Sequence, residues 1–256
     1  SIEVNQKCCD GIILENGENI KTDFVVSGLD PHNTFINLVG SSNLNPDFLT
    51  QVNNIRYRGS TARLFFILKN LPEIVGVKPD QMYTNFSICT SMESLEKASD
   101  GIKYGKISDT PFIDFNIPSV LNENFAINNK HILAASVQYA PYHLRNQIWD
   151  GKTKSILKRN TINVIENIIP NFSNLIESSH VLSPKDIENE FGLKEGNLNH
   201  GEMTLDQFMF MRPTISSSQY ATPIKNLYIC GGGTHPGGGL HGGNGYNAAK
   251  TILKKW

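Results

Sequence analysis

The sequence predicts an α/β protein with an α+β insert. Three observations carry this. Near the carboxyl end an apolar run, Leu227-Tyr-Ile-Cys230, stops at a glycine-dense turn and is followed by a helical pattern. Near the amino end, strand-like segments lead into a helix start at Asp30-Pro31. Between them strands and helices do not alternate evenly, which argues for a mixed sheet rather than a run of βα units.

In order along the chain, residues 11–14 (Gly-Ile-Ile-Leu) and 24–27 (Phe-Val-Val-Ser) read as strands, with Asn16-Gly17 between them as a hairpin signal. Asp30 caps the next helix and Pro31 takes its first position. A second short helix is expected over 46–54. Residues 61–68 (Thr-Ala-Arg-Leu-Phe-Phe-Ile-Leu) read as a strand, and further strands are expected at 82–88, 112–117 and 131–139. Ser91 caps a helix over 92–99. The longest helical pattern, 152–168, spaces Ile156, Leu157, Val164, Ile165 and Ile168 for one apolar face. Ser183-Pro184-Lys-Asp186 combines a cap, a first-position proline and a first-turn acid. Residues 213–223 read as loop.

The bulk composition narrows the function classes. The chain of 256 residues is 39% hydrophobic and 18% charged, enough apolar residue for a substantial core. A formal net charge of −1, with no basic stripe, gives no long-range attraction for nucleic acid or anionic lipid. No apolar run is long enough to span a membrane, so no transmembrane segment is expected. The four cysteines include the adjacent pair Cys8-Cys9, poor geometry for an intrachain bridge, and form no CxxC. A reducing, cytoplasmic location is therefore expected.

The glycine turn decides the rest. Gly237-Gly-Gly239-Leu-His-Gly242 matches G-x-G-x-x-G in form. A dinucleotide fingerprint also needs a second strand and an acid about 20 residues on. Too few residues follow Gly242 for that strand, and none is acidic. A P-loop fails because no Gly-Lys-Ser/Thr follows. What remains is a closing strand, a glycine turn and a final helix. That is a place where backbone amides and a helix N-terminus can meet a ligand's oxygens.

This segment resembles the carboxyl-terminal flavin motif of the phytoene-desaturase-like FAD-dependent oxidoreductases. These are relatives of the amine oxidases in the glutathione-reductase-like flavoprotein superfamily. Pro184-Lys-Asp-Ile-Glu-Asn-Glu-Phe-Gly192, Gly196-Asn-Leu-Asn-His-Gly-Glu202, Leu205-Asp-Gln207, Met211-Arg-Pro213, Tyr220 and Thr222-Pro-Ile224 resemble one subgroup, whose members carry a pyridine nucleotide-disulphide oxidoreductase label. Val25-Val-Ser-Gly-Leu-Asp-Pro31 and Ile55-Arg-Tyr-Arg58 fit the same pattern, so the resemblance spans nearly the whole chain.

The family's amino-terminal FAD fingerprint is missing from these residues. The resemblance therefore implies the carboxyl-terminal half of a two-domain enzyme. Residues 1–35 and 223–256 would be remnants of a Rossmann-like flavin domain, and 36–222 the mixed-sheet substrate domain. The strands at 24–27 and 227–230 would lie side by side with one edge uncovered. That edge would be open to an oligomer or to the amino-terminal half.

FAD is the cofactor implied, and a small apolar or amine-like molecule the substrate. Gly231, Gly232, Gly233 and Thr234 would face the ribityl–pyrophosphate. Pro236, Gly237, Gly238, Gly239, Gly242 and Gly243 would run along the flavin ring, and the helix near Asn244 would point its positive end at it. His235, Arg212 and Tyr220 are the candidate catalytic residues. Each also has a plain reading. His235 and His241 suit a turn, Arg212 can pair with a carboxylate such as Asp206, and Tyr220 can be a buried structural residue. Arg56 and Arg58 read as a solvated face. Phe65, Phe66, Phe208 and Phe210 suit a cavity or a core equally. His200, His235 and His241 lack the spacing of a metal site. By itself the chain is expected to be inactive and to hold no flavin firmly. The alternative is a flavin-free binding or protein-interaction module.

Overall fold

The computed structural model describes residues 1–126, 128 and 130–254. Positions 127, 129, 255 and 256, which fall within the expected domains, lie outside the described residues. The strands are β1 (Ile2–Asn5), β2 (Cys8–Ile13), β3 (Asn19–Lys21), β4 (Val25–Ser27), β5 (Thr61–Leu68), β6 (Phe86–Ile88), β7 (Phe112–Asn116), β8 (His131–Gln138), β9 (Ile176–Leu182) and β10 (Leu227–Ile229). The α-helices are α1 (Pro46–Asn53), α2 (Met92–Lys103), α3 (Pro118–Leu121), α4 (Gly151–Ile165), α5 (Phe172–Leu175), α6 (Pro184–Phe191) and α7 (Gly243–Leu253). Among the described residues no helix is long and apolar enough to cross a membrane.

The chain forms two compact units. The first takes both ends, Ser1–Arg58 and Asn197–Trp256, and the second is the continuous stretch Gly59–Gly196. The first unit thus extends further inward from each end than the expected 1–35 and 223–256.

In the first unit β1, β2 and β3 form an antiparallel sheet, and β4 pairs with β10 in parallel, Val25 beside Leu227 and Ser27 beside Ile229. The expected hairpin partner of β2 was 24–27; the structure gives that place to β3. The cause is the tightness of the turn. Asn16 Oδ1 accepts from the Glu18 amide at 2.9 Å and the Leu14 amide donates to the Glu18 carbonyl at 2.9 Å, so the chain returns at once and leaves 25–27 free for β10. Among the described residues no strand lies beyond β4 in this pair, whereas the outer edge of β10 meets a loop. The Ile229 amide donates to the Tyr220 carbonyl at 3.0 Å, and Ala221 bridges Tyr228. Asp30 caps the following turn as expected, its Oδ1 accepting from the Asn33 amide at 2.9 Å, but the turn continues as a wider π-type helix over Asn33–Val39. Phe35, Val39, Phe48 and Val52 from this helix and α1 close a small core with Ile2, Cys9, Leu227 and Ile229.

The second unit is a five-stranded antiparallel sheet in the order β6-β7-β8-β5-β9. Alternation in β5 sends Ala62, Leu64, Phe66 and Leu68 to one face, where they meet Leu157 and Ile165 of α4 and Phe172 of α5. Asp150 caps α4 by accepting from the Thr153 amide at 2.8 Å, and Ser183 caps α6 in a reciprocal pair with Asp186. The expected strand 82–88 shrinks to three residues, and β3 and β9 appear where none was expected. All four cysteines are free.

Candidate functional site

The glycine turn leaves β10 and enters α7 through residues 231–242, and it is held from within. Asn244, the second residue of α7, is buried, and its side-chain Nδ2 lies 3.1 Å from the carbonyls of Gly231, Thr234 and Gly237 and 3.0 Å from Thr234 Oγ1. Thr234 donates through both its amide (3.0 Å) and its hydroxyl (2.7 Å) to the Gly231 carbonyl. Tyr220 donates its hydroxyl to the His235 carbonyl at 2.9 Å, and burial pushes that phenol's pKa up. Asn244 and Tyr220, expected to face flavin and substrate, thus have polar groups committed to the shape of the turn.

Two glycines are explained by the protein itself. A Cβ on Gly231 would run into the Gly28 carbonyl, and one on Gly238 would run into the Asn199 side chain. Much of the glycine density therefore serves close packing. The outward part of the turn is Gly239, Leu240, His241 and Gly242, all exposed. His241 Nδ1 accepts from the Gly243 amide at 3.0 Å, which places the proton of the neutral ring on Nε2. Gly242, the residue before the helix, has no side chain to cap it, and His241 takes only the Gly243 amide, so the N–H groups of Asn244 and Gly245 present the positive end of α7.

Arg212 is 3% exposed, and among the described residues no carboxylate pairs with it. Its guanidinium donates to backbone carbonyls: Nη1 to Glu202 (3.0 Å) and Gln207 (3.2 Å), Nη2 to Asn199 (2.6 Å) and Gly201 (3.3 Å). Nη1 also lies 3.0 Å from Met203 Sδ, and Nε has no hydrogen-bond partner. Burial lowers its pKa to about 10, against a raising contribution from Tyr57. The expected pairing with Asp206 does not occur. Asp206 pairs with Arg56 at 2.7 Å, and Arg56 and Arg58 both hold Glu202. These two arginines are therefore ion-paired rather than simply solvated.

Three residues near this turn were not singled out as site residues from sequence. Asp30 is 1% exposed and carries the cap of Asn33. Tyr57 Oη accepts from the His32 amide at 3.1 Å, and burial, then the nearby Asp30, raises its pKa. His200 packs beside Gly231, and its Nδ1, like that of His235, has no hydrogen-bond partner. Burial lowers the His200 pKa, with Asp30 raising it and Arg212 lowering it. The signal available for Tyr57 was its position in Ile55-Arg-Tyr-Arg58; for Asp30 it was an acid before proline in an apolar stretch. The structure does not gather His200, His235 and His241 into a metal site; among the described residues no such cluster exists.

No protein-family model matches the chain. Among curated proteins it is 32% identical over 254 residues to pyridine nucleotide-disulfide oxidoreductase domain-containing protein 2 of Rattus norvegicus, covering 95% of this chain and 44% of that protein. It is 23% identical over 236 residues to the lycopene-forming phytoene desaturase of a Paracoccus species, covering 91% of this chain and 44% of the desaturase. An oxidoreductase structure from Methanosarcina mazei matches all of this chain and 48% of its own, with TM-score 0.57 and 12% identity, a likeness of fold. The chain spans about half the length of the curated relatives it matches.

Proposed function

We propose that this chain, a homologue of the pyridine nucleotide-disulfide oxidoreductase domain-containing proteins over 95% of its length, is the carboxyl-terminal part of a flavin-dependent oxidoreductase. The observation that carries the reading is the self-held glycine turn, which presents a helix start whose first amide alone is taken, by His241, beside exposed, side-chain-poor backbone. These residues fit a flavin. The amides of Asn244 and Gly245 suit an electron-rich ring edge. The stretch from Pro236 through Gly237, Gly238, Gly239, Gly242 and Gly243 offers backbone that a planar ring can approach, and Gly231, Gly232, Gly233 and Thr234 lead into it. The buried, unpartnered Nδ1 atoms of His200 and His235 supply polar groups with spare hydrogen-bonding capacity.

Bound FAD would supply the two-electron acceptor for hydride removal from an apolar or amine-like substrate. This chain's own residues hold and polarise. The start of α7 favours negative charge near it, worth about 0.3–2 kcal/mol. Asn244 and Tyr220 keep the turn in shape, and the Arg212 guanidinium, about 10 in pKa, stays cationic at neutral pH among the carbonyls of 199–207.

A flavin-free interaction module is the second reading, and the exposure of Leu205 (94%), Phe210 (67%) and Leu240 (110%) favours it. One experiment separates the two. The chain is co-expressed with the amino-terminal half of a curated homologue. A co-purifying complex with a flavin absorption band supports the enzyme reading. A stable colourless complex that stays colourless with added FAD supports the interaction module.

A further inference from the structure

The second unit carries a charged cavity that the flavin reading does not use. It lies on the face of the five-stranded sheet opposite the core. Its volume is about 390 Å³, and its lining includes Arg63, Asn85, Asp114, Asn116, Ala134 and Ser136. Register explains the arrangement. Arg63 of β5 stands opposite Ser136 of β8, and Ser136 stands opposite Asp114 of β7, so the three form one row across the sheet. The backbones at its ends lie two strand spacings apart, about 9–10 Å, and the Arg63 guanidinium reaches inward to Ser136 on the middle strand.

Among the described residues neither Arg63 nor Asp114 has an ion-pair partner. Arg63 is half-buried, donates to Ser136 Oγ through Nη1, and lies 6.0 Å from the Phe65 ring centre. No ion pair involves it among the described residues, and burial pulls its pKa down. Asp114 accepts from Ser87 Oγ and likewise has no cationic partner among the described residues. Asn116 and Asn85 bond each other at 3.0 Å along the cavity wall. A half-buried guanidinium with most of its five N–H donors unused is costly unless an anion meets it, and its planar fork suits a carboxylate. The carboxylate of Asp114 at the other end calls for a cation.

We propose that this cavity is a binding site for a small zwitterionic aminocarboxylate, its carboxylate on Arg63 and its ammonium on Asp114. The cavity size falls within the range of small-ligand sites. Complementary charges at both ends select against ligands carrying only one of them. The site stands without the flavin reading; only its use as a substrate site rests on that reading.

The test needs no flavin, so its failure is distinct from failure of the oxidoreductase proposal. The full chain is titrated calorimetrically with 4-aminobutyrate, butyrate and butylamine. The expected result is binding of 4-aminobutyrate in about the millimolar range or tighter, at least about tenfold stronger than either singly charged probe. Arg63→Gln should abolish that binding, and Arg63→Lys should retain part of it. Asp114→Asn should bring butyrate level with 4-aminobutyrate, a change of preference that a folding defect cannot produce. Circular dichroism checks the fold of each variant. Absence of binding by the folded wild-type chain, equal binding of butyrate, or unchanged binding in folded Arg63→Gln overturns the proposal.

Discussion

Replacing Asn244 with alanine probes whether the glycine turn is held from within. The carboxamide nitrogen sits 3.0–3.1 Å from four oxygens of residues 231–237. The Gly231 carbonyl keeps two donors from Thr234 when Asn244 is lost, at 3.0 and 2.7 Å. Among the described residues the Thr234 and Gly237 carbonyls have no other donor, so both lose their partner in a buried setting. At about 1–3 kcal/mol for each unsatisfied group, with one donor shared among several acceptors, the cost is about 2–4 kcal/mol. That corresponds to amide exchange at least about 30-fold faster if the turn opens as a unit. Hydrogen exchange read by mass spectrometry over 231–246 is the direct assay, with the urea midpoint of the first unit as a second readout. Asn244→Asp, which keeps the shape but replaces the donor with an acceptor, should be at least as damaging. If exchange in Asn244→Ala stays within about twofold of wild type and the midpoint is unmoved, the internal clamp is wrong and the glycine turn owes its shape to something else.

Three further outcomes follow from the same geometry. Tyr220→Phe removes the bond to the His235 carbonyl and should cost about 0.5–1.5 kcal/mol by denaturant titration; a neutral result would mean water replaces the phenol there. Gly231→Ala puts a methyl group against the Gly28 backbone and should sharply reduce soluble yield, whereas Gly245→Ala meets nothing within 4 Å and should raise the melting temperature through helix propensity, by up to about 1 kcal/mol. In the second unit, burial alone would raise Asp186, but Lys154 at 2.7 Å, followed by Ser183, holds it below its ordinary 3.8. That depressed carboxylate stabilises the fold above pH of about 4 and stops doing so as pH falls through its lowered value. Lys154→Met should therefore shift the acid-unfolding midpoint upward, and an unchanged midpoint by circular dichroism counts against it.

How much was legible follows from what each element depends on. β5 was readable because its apolar residues and length define a strand without help, and α6 because cap, proline and acid stand in order. The adjacency of β4 and β10 came from the family resemblance; three-residue strands carry no register information. β9 was not legible. Its Ile-Glu-Ser-Ser-His-Val-Leu pattern is polar in the middle because it is an edge strand that pairs only with β5. The setting of Arg212 was hidden for a deeper reason. Its partners are the carbonyls of 199, 201, 202 and 207, which every residue has, so no side-chain pattern announces them. Of the two settings expected for Arg212, a catalytic one and a pair with a carboxylate such as Asp206, the second fails because Arg56 already holds Asp206.

The same distinction refines what the glycines mean for a flavin. Had they served only ligand approach, the turn would be loose until something bound, and ordering it would cost about 1–2 kcal/mol per residue. Gly231 and Gly238 instead let the turn pack on Gly28 and Asn199, while Asn244 and Tyr220 tie its carbonyls. The ordering cost is thereby met in folding, and only the stretch Gly239–Gly242 remains outward and lightly held. A ligand at the start of α7 would meet a surface already in place, so its affinity would depend on the contacts it makes rather than on the loop it must tame. Loosening the turn from behind, at Asn244 or Tyr220, should therefore weaken such a ligand without removing any atom that touches it.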